Sequence, residues 1–345
     1  MTSLLLSDYI GNSTAFELNR FFLHLQKAGL NGFFFGLILM VFLAWLFPFY
    51  GTAESPLHLA VITKYGVSLI FFFYGLRLSP EKLRAGLSNW KLHLLIQSST
   101  FILFPVFVLC FSFLQHNPSF NLLWLGAFYL AALPSTVSSS VVMVSIAGGN
   151  LPAAIFNASI SSIIGIFITP LWMSFFMEST GSGVEIQDVI MKLCFQILAP
   201  VLIGILLHRW LGDFAEKNKT WLRYFDQTMI LLIVYTAFSE SFSGDMFLEH
   251  SLTEIITLAA IMLVFFLIMF VVMQGLARLL KLNREDRITV VFCGSKKSLV
   301  QGAVMGKVLF PNPVVLGIML LPLMLYHALQ LIAGSIIAER MGKEN

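Results

Sequence analysis

Apolar stretches of about 20 residues recur along this chain, divided by short segments that hold most of its charge. About 20 apolar residues are what a helix needs to cross the hydrocarbon core of a bilayer. The pattern predicts ten such spans: Gly32–Phe49, Tyr65–Leu78, Leu92–Phe113, Leu122–Ile146, Ala153–Met177, Val189–Trp210, Tyr224–Phe242, Leu252–Leu280, Ile288–Leu309 and Pro313–Ala338. The second is short and can extend back through Ala60. The runs are continuous, which excludes the alternating pattern of an outer-membrane barrel. Before them, Phe16, Leu18, Phe21, Phe22 and Leu25 form an apolar stripe within Thr14–Gly29. That stripe fits either an amphipathic helix in the headgroup plane or a cytosolic extension of the first span.

Two spans carry polar interruptions. Pro134-Ser135-Thr136-Val137-Ser138-Ser139-Ser140 breaks the fourth and Gly294-Ser295-Lys296-Lys297-Ser298 the ninth. Each is followed by a turn with Asn and Pro, at Gly148–Pro152 and Phe310–Pro313. The chain divides near Glu178–Asp188 into five spans and five spans. The expected domains are an interfacial segment 1–31, a first repeat 32–177, a second repeat 189–338 and a cytosolic tail 339–345. An odd number of spans per repeat makes the repeats inverted, with helices 4 and 9 discontinuous and crossing near Ser138–Ser140 and Ser295–Lys297. Matched interruptions in inverted halves point to the binding site of a secondary transporter. Adjacent ammonium groups at membrane depth are costly unless they meet a partner, water or broken backbone. Broken helices supply that setting, with positive partial charge at each N-terminal end and negative at each C-terminal end. The bland reading of Lys296 and Lys297 is that both are caps on a broken helix.

Composition agrees: 58% of residues are hydrophobic and 11% charged, against about 25% charged in soluble domains. Sixteen of the 21 Lys and Arg fall on the side of the spans that holds both termini. The positive-inside rule then makes both termini cytoplasmic, and the membrane the plasma (inner) membrane in a bacterium. The scattered basic residues predict no nucleic-acid partner; the expected partners are the bilayer and a small solute. The three cysteines lie in apolar spans and form neither a disulfide framework nor a metal set. The carboxylates of the predicted spans stand at their ends, as Asp226 and Glu240 do, no His-Glu-x-x-His is present and no phosphate-binding glycine loop occurs. The chain is therefore expected to be neither protease nor ATPase, nor any other enzyme, and to need no cofactor.

Several segments carry a family likeness: Phe71–Leu76, Leu92–Gln97, Pro134 with Val137–Val142, Gly149–Asn157, Thr169–Leu171 and Phe292–Leu299. With the two broken spans, they make the chain resemble the bile acid:sodium symporter superfamily, most closely its bile-acid-symporter-like branch with the run Cys-Gly-Ser-Lys-Lys-Ser-Leu. The resemblance implies a core domain (spans 3–5 and 8–10) moving against a panel domain (spans 1, 2, 6 and 7). It also implies secondary transport of an organic, often anionic solute by alternating access. The family's sodium ligands map onto Ser139, Ser140, Asn157, Ser161 and Gln97, so a Na⁺ site at Ser139, Ser140 and Asn157 is one expectation. The family's glutamate in the ninth span is missing, and Lys296 and Lys297 stand in its place. Transport is therefore expected to be independent of Na⁺ or weakly dependent on it, with H⁺ the leading replacement. The candidate substrate and ion site is Gln97, Ser138, Ser139, Ser140, Asn157, Ser161, Ser295, Lys296, Lys297 and Ser298, its cavity lined by Ser139, Asn157 and one lysine. His93 is expected at the interface. His327 reads either as a proton carrier or as a satisfied buried imidazole. The rival function is a non-transporting membrane regulator or sensor linked to calcium homeostasis.

Overall fold

The structure is a computed structural model that describes residues 32–77, 89–116, 120–176, 191, 194–243 and 252–343. The amphipathic segment expected within 1–31, the junction Glu178–Asp188 and the loop 244–251 lie outside these residues. Every regular element among the described residues is helical. The helices are α1 (Gly32–Leu46), α2 (Leu59–Leu76), α3 (Trp90–Leu109), α4 (Asn121–Ala132), α5 (Ser138–Ala147) and α6 (Leu151–Ser174). They continue as α7 (Ala199–Lys217), α8 (Lys219–Ser243), α9 (Leu252–Leu279), α10 (Arg284–Gly294), α11 (Leu299–Leu309) and α12 (Pro313–Lys343). Six helical stretches among them are long and apolar enough to cross a membrane: α2, α3, α6, Phe195–Lys217, Thr253–Leu279 and α12. Large exposed side chains such as Ile38, Leu206, Val271 and Leu279 cover the outside, a surface suited to lipid rather than water.

The helix boundaries have local causes. His58, in the left-handed region at φ 48°, turns the chain into α2, which starts at Leu59 and so takes up the extension back through Ala60. In α3, Ser99–Leu103 is a π-helical turn just ahead of Pro105, which has no N–H to give. The Phe104 N–H reaches back to the Ser99 carbonyl, and the carbonyls of Thr100 and Phe101 are left for other partners. Trp172 Nε1 of α6 takes that of Phe101 at 2.8 Å. Helix α8 begins at Lys219, five residues before the expected start, because a helix can carry a charged turn beyond the apolar core. Helix α12 runs to Lys343, into the expected tail 339–345, where Arg284 Nη2 donates to the Met341 carbonyl at 2.7 Å.

The polar interruptions are breaks in the helices. The chain is non-helical between Ala132 and Ser138 and between Gly294 and Leu299. The pieces α4, α5, α10 and α11 have 12, 10, 11 and 11 residues. At 1.5 Å per residue none spans a hydrocarbon core of about 30 Å alone. Around them, α2 packs on α7, and α8 packs on α1 and α2. Helix α12 packs on α4, α5, α8, α9 and α11, and α10 on α3, α5, α6 and α9.

Candidate functional site

The two breaks meet in the protein interior. The Ser298 N–H donates to the Pro134 carbonyl at 2.9 Å. The helix ends facing this contact leave orphan carbonyls, which residues of the opposite break satisfy together with side chains of α3, α6 and α12. At the end of α10, Ser140 Oγ donates to the Phe292 carbonyl (3.2 Å), Ser135 Oγ to that of Cys293 (2.6 Å) and Ser99 Oγ of α3 to that of Gly294 (3.1 Å). Tyr326 Oη takes the Ser295 carbonyl at 2.7 Å. At the end of α4, Lys297 Nζ donates to the carbonyls of Ala131 (2.6 Å) and Leu133 (2.8 Å), and Thr169 Oγ1 takes that of Ala132 (2.7 Å). The third partner of Lys297 Nζ is the Thr100 carbonyl freed by the π turn, at 2.7 Å. The ammonium also sits 4.2 Å from the Phe104 ring centroid, where it gains a cation–π attraction. A single cation thus ties the second break to two other pieces of backbone, α3 and the end of α4.

Lys296 is equally buried and bonded differently. Its Nζ reaches one carbonyl, that of Ser139 at 3.3 Å, and the sulfur of Met143. The Phe292 ring centroid is 5.8 Å away. Gln330 of α12 holds the lysine segment by its backbone: the Lys297 N–H donates to Oε1 (2.9 Å) and Nε2 donates to the Lys297 carbonyl (2.8 Å). This pairing fixes the orientation of the amide. Its remaining Nε2 hydrogen then points to His327 Nδ1, 2.9 Å away. That ring nitrogen must accept, which leaves the N–H of His327 on Nε2.

Gln97 and Asn157 belong to a separate cluster between α3 and α6. Asn157 Nδ2 bonds the Ala153 carbonyl (2.9 Å) and His93 Nδ1 (2.7 Å), and Gln97 Nε2 donates to Asn157 Oδ1 (3.2 Å). His93, expected at the interface, is buried here against the Phe156 ring. Ser161 Oγ accepts the Ser135 N–H at 3.0 Å and so braces the first break. Ser295 Oγ turns back to the Val291 carbonyl. Ser139, Ser140 and Asn157 each have their own partners and share none: the Ser139 hydroxyl meets Thr136 Oγ1 at 3.1 Å.

A cavity of about 440 Å³ opens beside the breaks. One wall is the start of α5 and of α11, through Thr136, Val137, Ser139, Ser298, Leu299 and Gln301. Ser159 and Ser162 of α6 and His327 of α12 continue it. The facing wall comes from α1, α2 and α8, through Phe33, Tyr74, Arg77, Arg223, Asp226 and Ile230. Of the residues anticipated from the sequence, Ser139 and Ser298 line this cavity. Lys296 is set behind its wall, bonded to two lining residues, Ser139 and Met143. Asn157, Gln97, Ser140 and Lys297 lie away from its lining. The two helix N-termini face the open space while the carbonyl ends are bonded shut, so the wall favours negative charge. Thr136, Ser159, Ser162, Gln301 and the pair Arg77–Asp226 were not anticipated. Arg77 and Asp226 sit at span ends in the sequence, where they read only as loop charges.

A family model described as the SBF-like CPA transporter family matches residues 31–343. The uncharacterized protein PA2026 of Pseudomonas aeruginosa is 40% identical over 313 residues, covering 91% of this chain and 93% of its own. YfeH of Escherichia coli K12, whose name describes it provisionally as a symporter, is 39% identical and covers 91% of this chain and 94% of its own. Sodium/bile acid cotransporter 7-B of Xenopus laevis is 31% identical over 91% of this chain and 92% of its own.

Proposed function

The chain belongs to the SBF-like CPA transporter family, a family of multi-pass membrane transporters and not of enzymes, and from that premise we propose that it carries a small organic anion by alternating access. The observation that carries this reading is the cavity of about 440 Å³ between the two broken helices and the wall of α1, α2 and α8. An anion suits it, because two helix N-termini point at the space and the bonded carbonyl ends do not. The apolar lining at Phe33, Val142, Ile163, Ile166 and Leu331 suits a hydrocarbon or aromatic body. In this reading α3–α6 and α9–α12 form one moving unit, α1, α2, α7 and α8 the other, and ten spans arranged as two inverted repeats place both termini in the cytoplasm.

For coupling, we propose H⁺ rather than Na⁺. The carbonyls that a hard cation would use at the breaks already receive hydroxyls and the Lys297 ammonium. A sodium ion favours oxygen ligands with some anionic charge, and an ammonium beside it would repel it. Lys296 is the lysine suited to losing and regaining a proton, since its one carbonyl bond is long and its neighbours line the cavity. The test is uptake of labelled cholate and of smaller aromatic carboxylates into proteoliposomes under separate Na⁺ and H⁺ gradients. Accumulation driven by an inward proton gradient and indifferent to Na⁺ is the expected result. Steep, saturable Na⁺ dependence without a response to pH contradicts the coupling, and a folded protein that moves no solute points to a regulator.

A further inference from the structure

We infer that Arg77 is the receptor for the anionic group of the solute, with Asp226 as the internal anion it must be shared with. This rests on the transport reading above but names a group outside the two breaks. Arg77 caps α2 and lines the cavity, opposite the starts of α5 and α11. Its Nη1 donates to Asp226 Oδ2 of α8 at 3.0 Å. Its Nε and Nη2 are buried and have no hydrogen-bond partner. Those two nitrogens form one edge of the guanidinium. Their N–H bonds run parallel, at the spacing that a carboxylate, sulfonate or phosphate takes with two oxygens. One edge of Arg77 is therefore anchored by Asp226 while the edge that recognises oxyanions is buried without a hydrogen-bond partner.

Buried guanidinium donors without partners are rare and call for an explanation. Two further orphans are close to hand in kind. Asp226 Oδ1 is buried and unpartnered, and so is Oε1 of Gln301, which lines the same cavity from α11. The carboxylate holds the side chain in place, and its own charge also opposes an incoming anion. Tyr74, whose ring centroid lies 5.8 Å from the guanidinium, packs along it from the previous turn of α2. A solute with an oxyanion at Arg77 would lay its apolar body along Val137, Val142, Ile163 and Ile166 toward the breaks. It would then touch both moving units at once, as a solute that drives a conformational exchange must.

The experiment uses purified full-length protein and four probes of similar shape: phenylacetate, benzenesulfonate, phenyl phosphate and neutral phenylacetamide. Thermal unfolding is followed as each is titrated. At least one anion is expected to stabilise the protein while the amide does not. Arg77→Gln should raise the half-saturating concentration about tenfold or more, Arg77→Lys should recover part of the loss, and Asp226→Asn should lower it below wild type. Should Arg77→Gln fail to give a monodisperse protein, Arg77→Lys and Asp226→Asn decide the matter. No charge-dependent shift with any of the three anions overturns the inference, as does a shift that the Arg77 variants preserve. The two readings fail separately. Anion binding that depends on Arg77 in a protein that carries nothing removes transport and leaves the site. Transport of a solute that Arg77→Gln leaves intact does the reverse.

Discussion

Lys297 joins the carbonyls of Thr100, Ala131 and Leu133 in a place closed to water. Replacing it with methionine keeps the apolar stem and strands three buried acceptors. Each unmet acceptor costs about 1–3 kcal/mol, partly offset by no longer burying an ammonium. Lys297→Met should therefore lose about 2–4 kcal/mol of stability, read as unfolding of the purified protein. Lys296→Met, which gives up one long carbonyl bond and a sulfur contact, should lose much less. Equal stability of the two variants would mean that Lys297 is not the cap it looks like. The sequence made the lysine pair conspicuous, because two charges in an apolar run demand partners. It did not show which lysine does what. That depends on the Thr100 carbonyl, which is free only because a π turn precedes Pro105. Arg77 was hidden for a different reason: a basic residue at a span end looks the same whether it meets water or a buried aspartate.

Among the elements, α2 and α7 are held together by glycines. A methyl group on Gly204 would stand 2.9 Å from the Gly75 Cα, and one on Gly75 would stand 3.0 Å from the Gly204 Cα. In a bilayer, small residues let helix backbones approach and pack. Gly204→Val should thus force the pair apart and cost about 1–3 kcal/mol, whereas the exposed, lipid-side Leu206→Val should be nearly neutral. Comparable melting temperatures for the two variants would contradict the close contact. The breaks in helices α4/α5 and α10/α11 were legible, since Pro134 and the Gly-Ser-Lys-Lys-Ser run interrupt apolar stretches at matching distances from the start of each half. The ends of α8 and α12 were not. Hydropathy marks the part of a helix that fits lipid, and both helices carry further turns of charged residues, Lys219–Arg223 and Glu339–Lys343.

For the whole molecule, the central claim is that the cavity between the breaks and the facing wall opens to each side of the membrane in turn. Its composition of serines and helix N-termini was foreseeable only in part. The sequence shows which positions are polar, whereas the cavity depends on which face of α6 turns toward α8 across it. Ser162 lines the cavity and bonds only to its own helix, through the Ala158 carbonyl at 2.9 Å, so a cysteine there disturbs little. The decisive measurement places Ser162→Cys in a protein lacking Cys110, Cys194 and Cys293, and exposes right-side-out and inverted vesicles to a membrane-impermeant maleimide. Alternating access predicts labelling from both faces, with the balance shifted by a pH gradient. Labelling from one face alone under every gradient would contradict it.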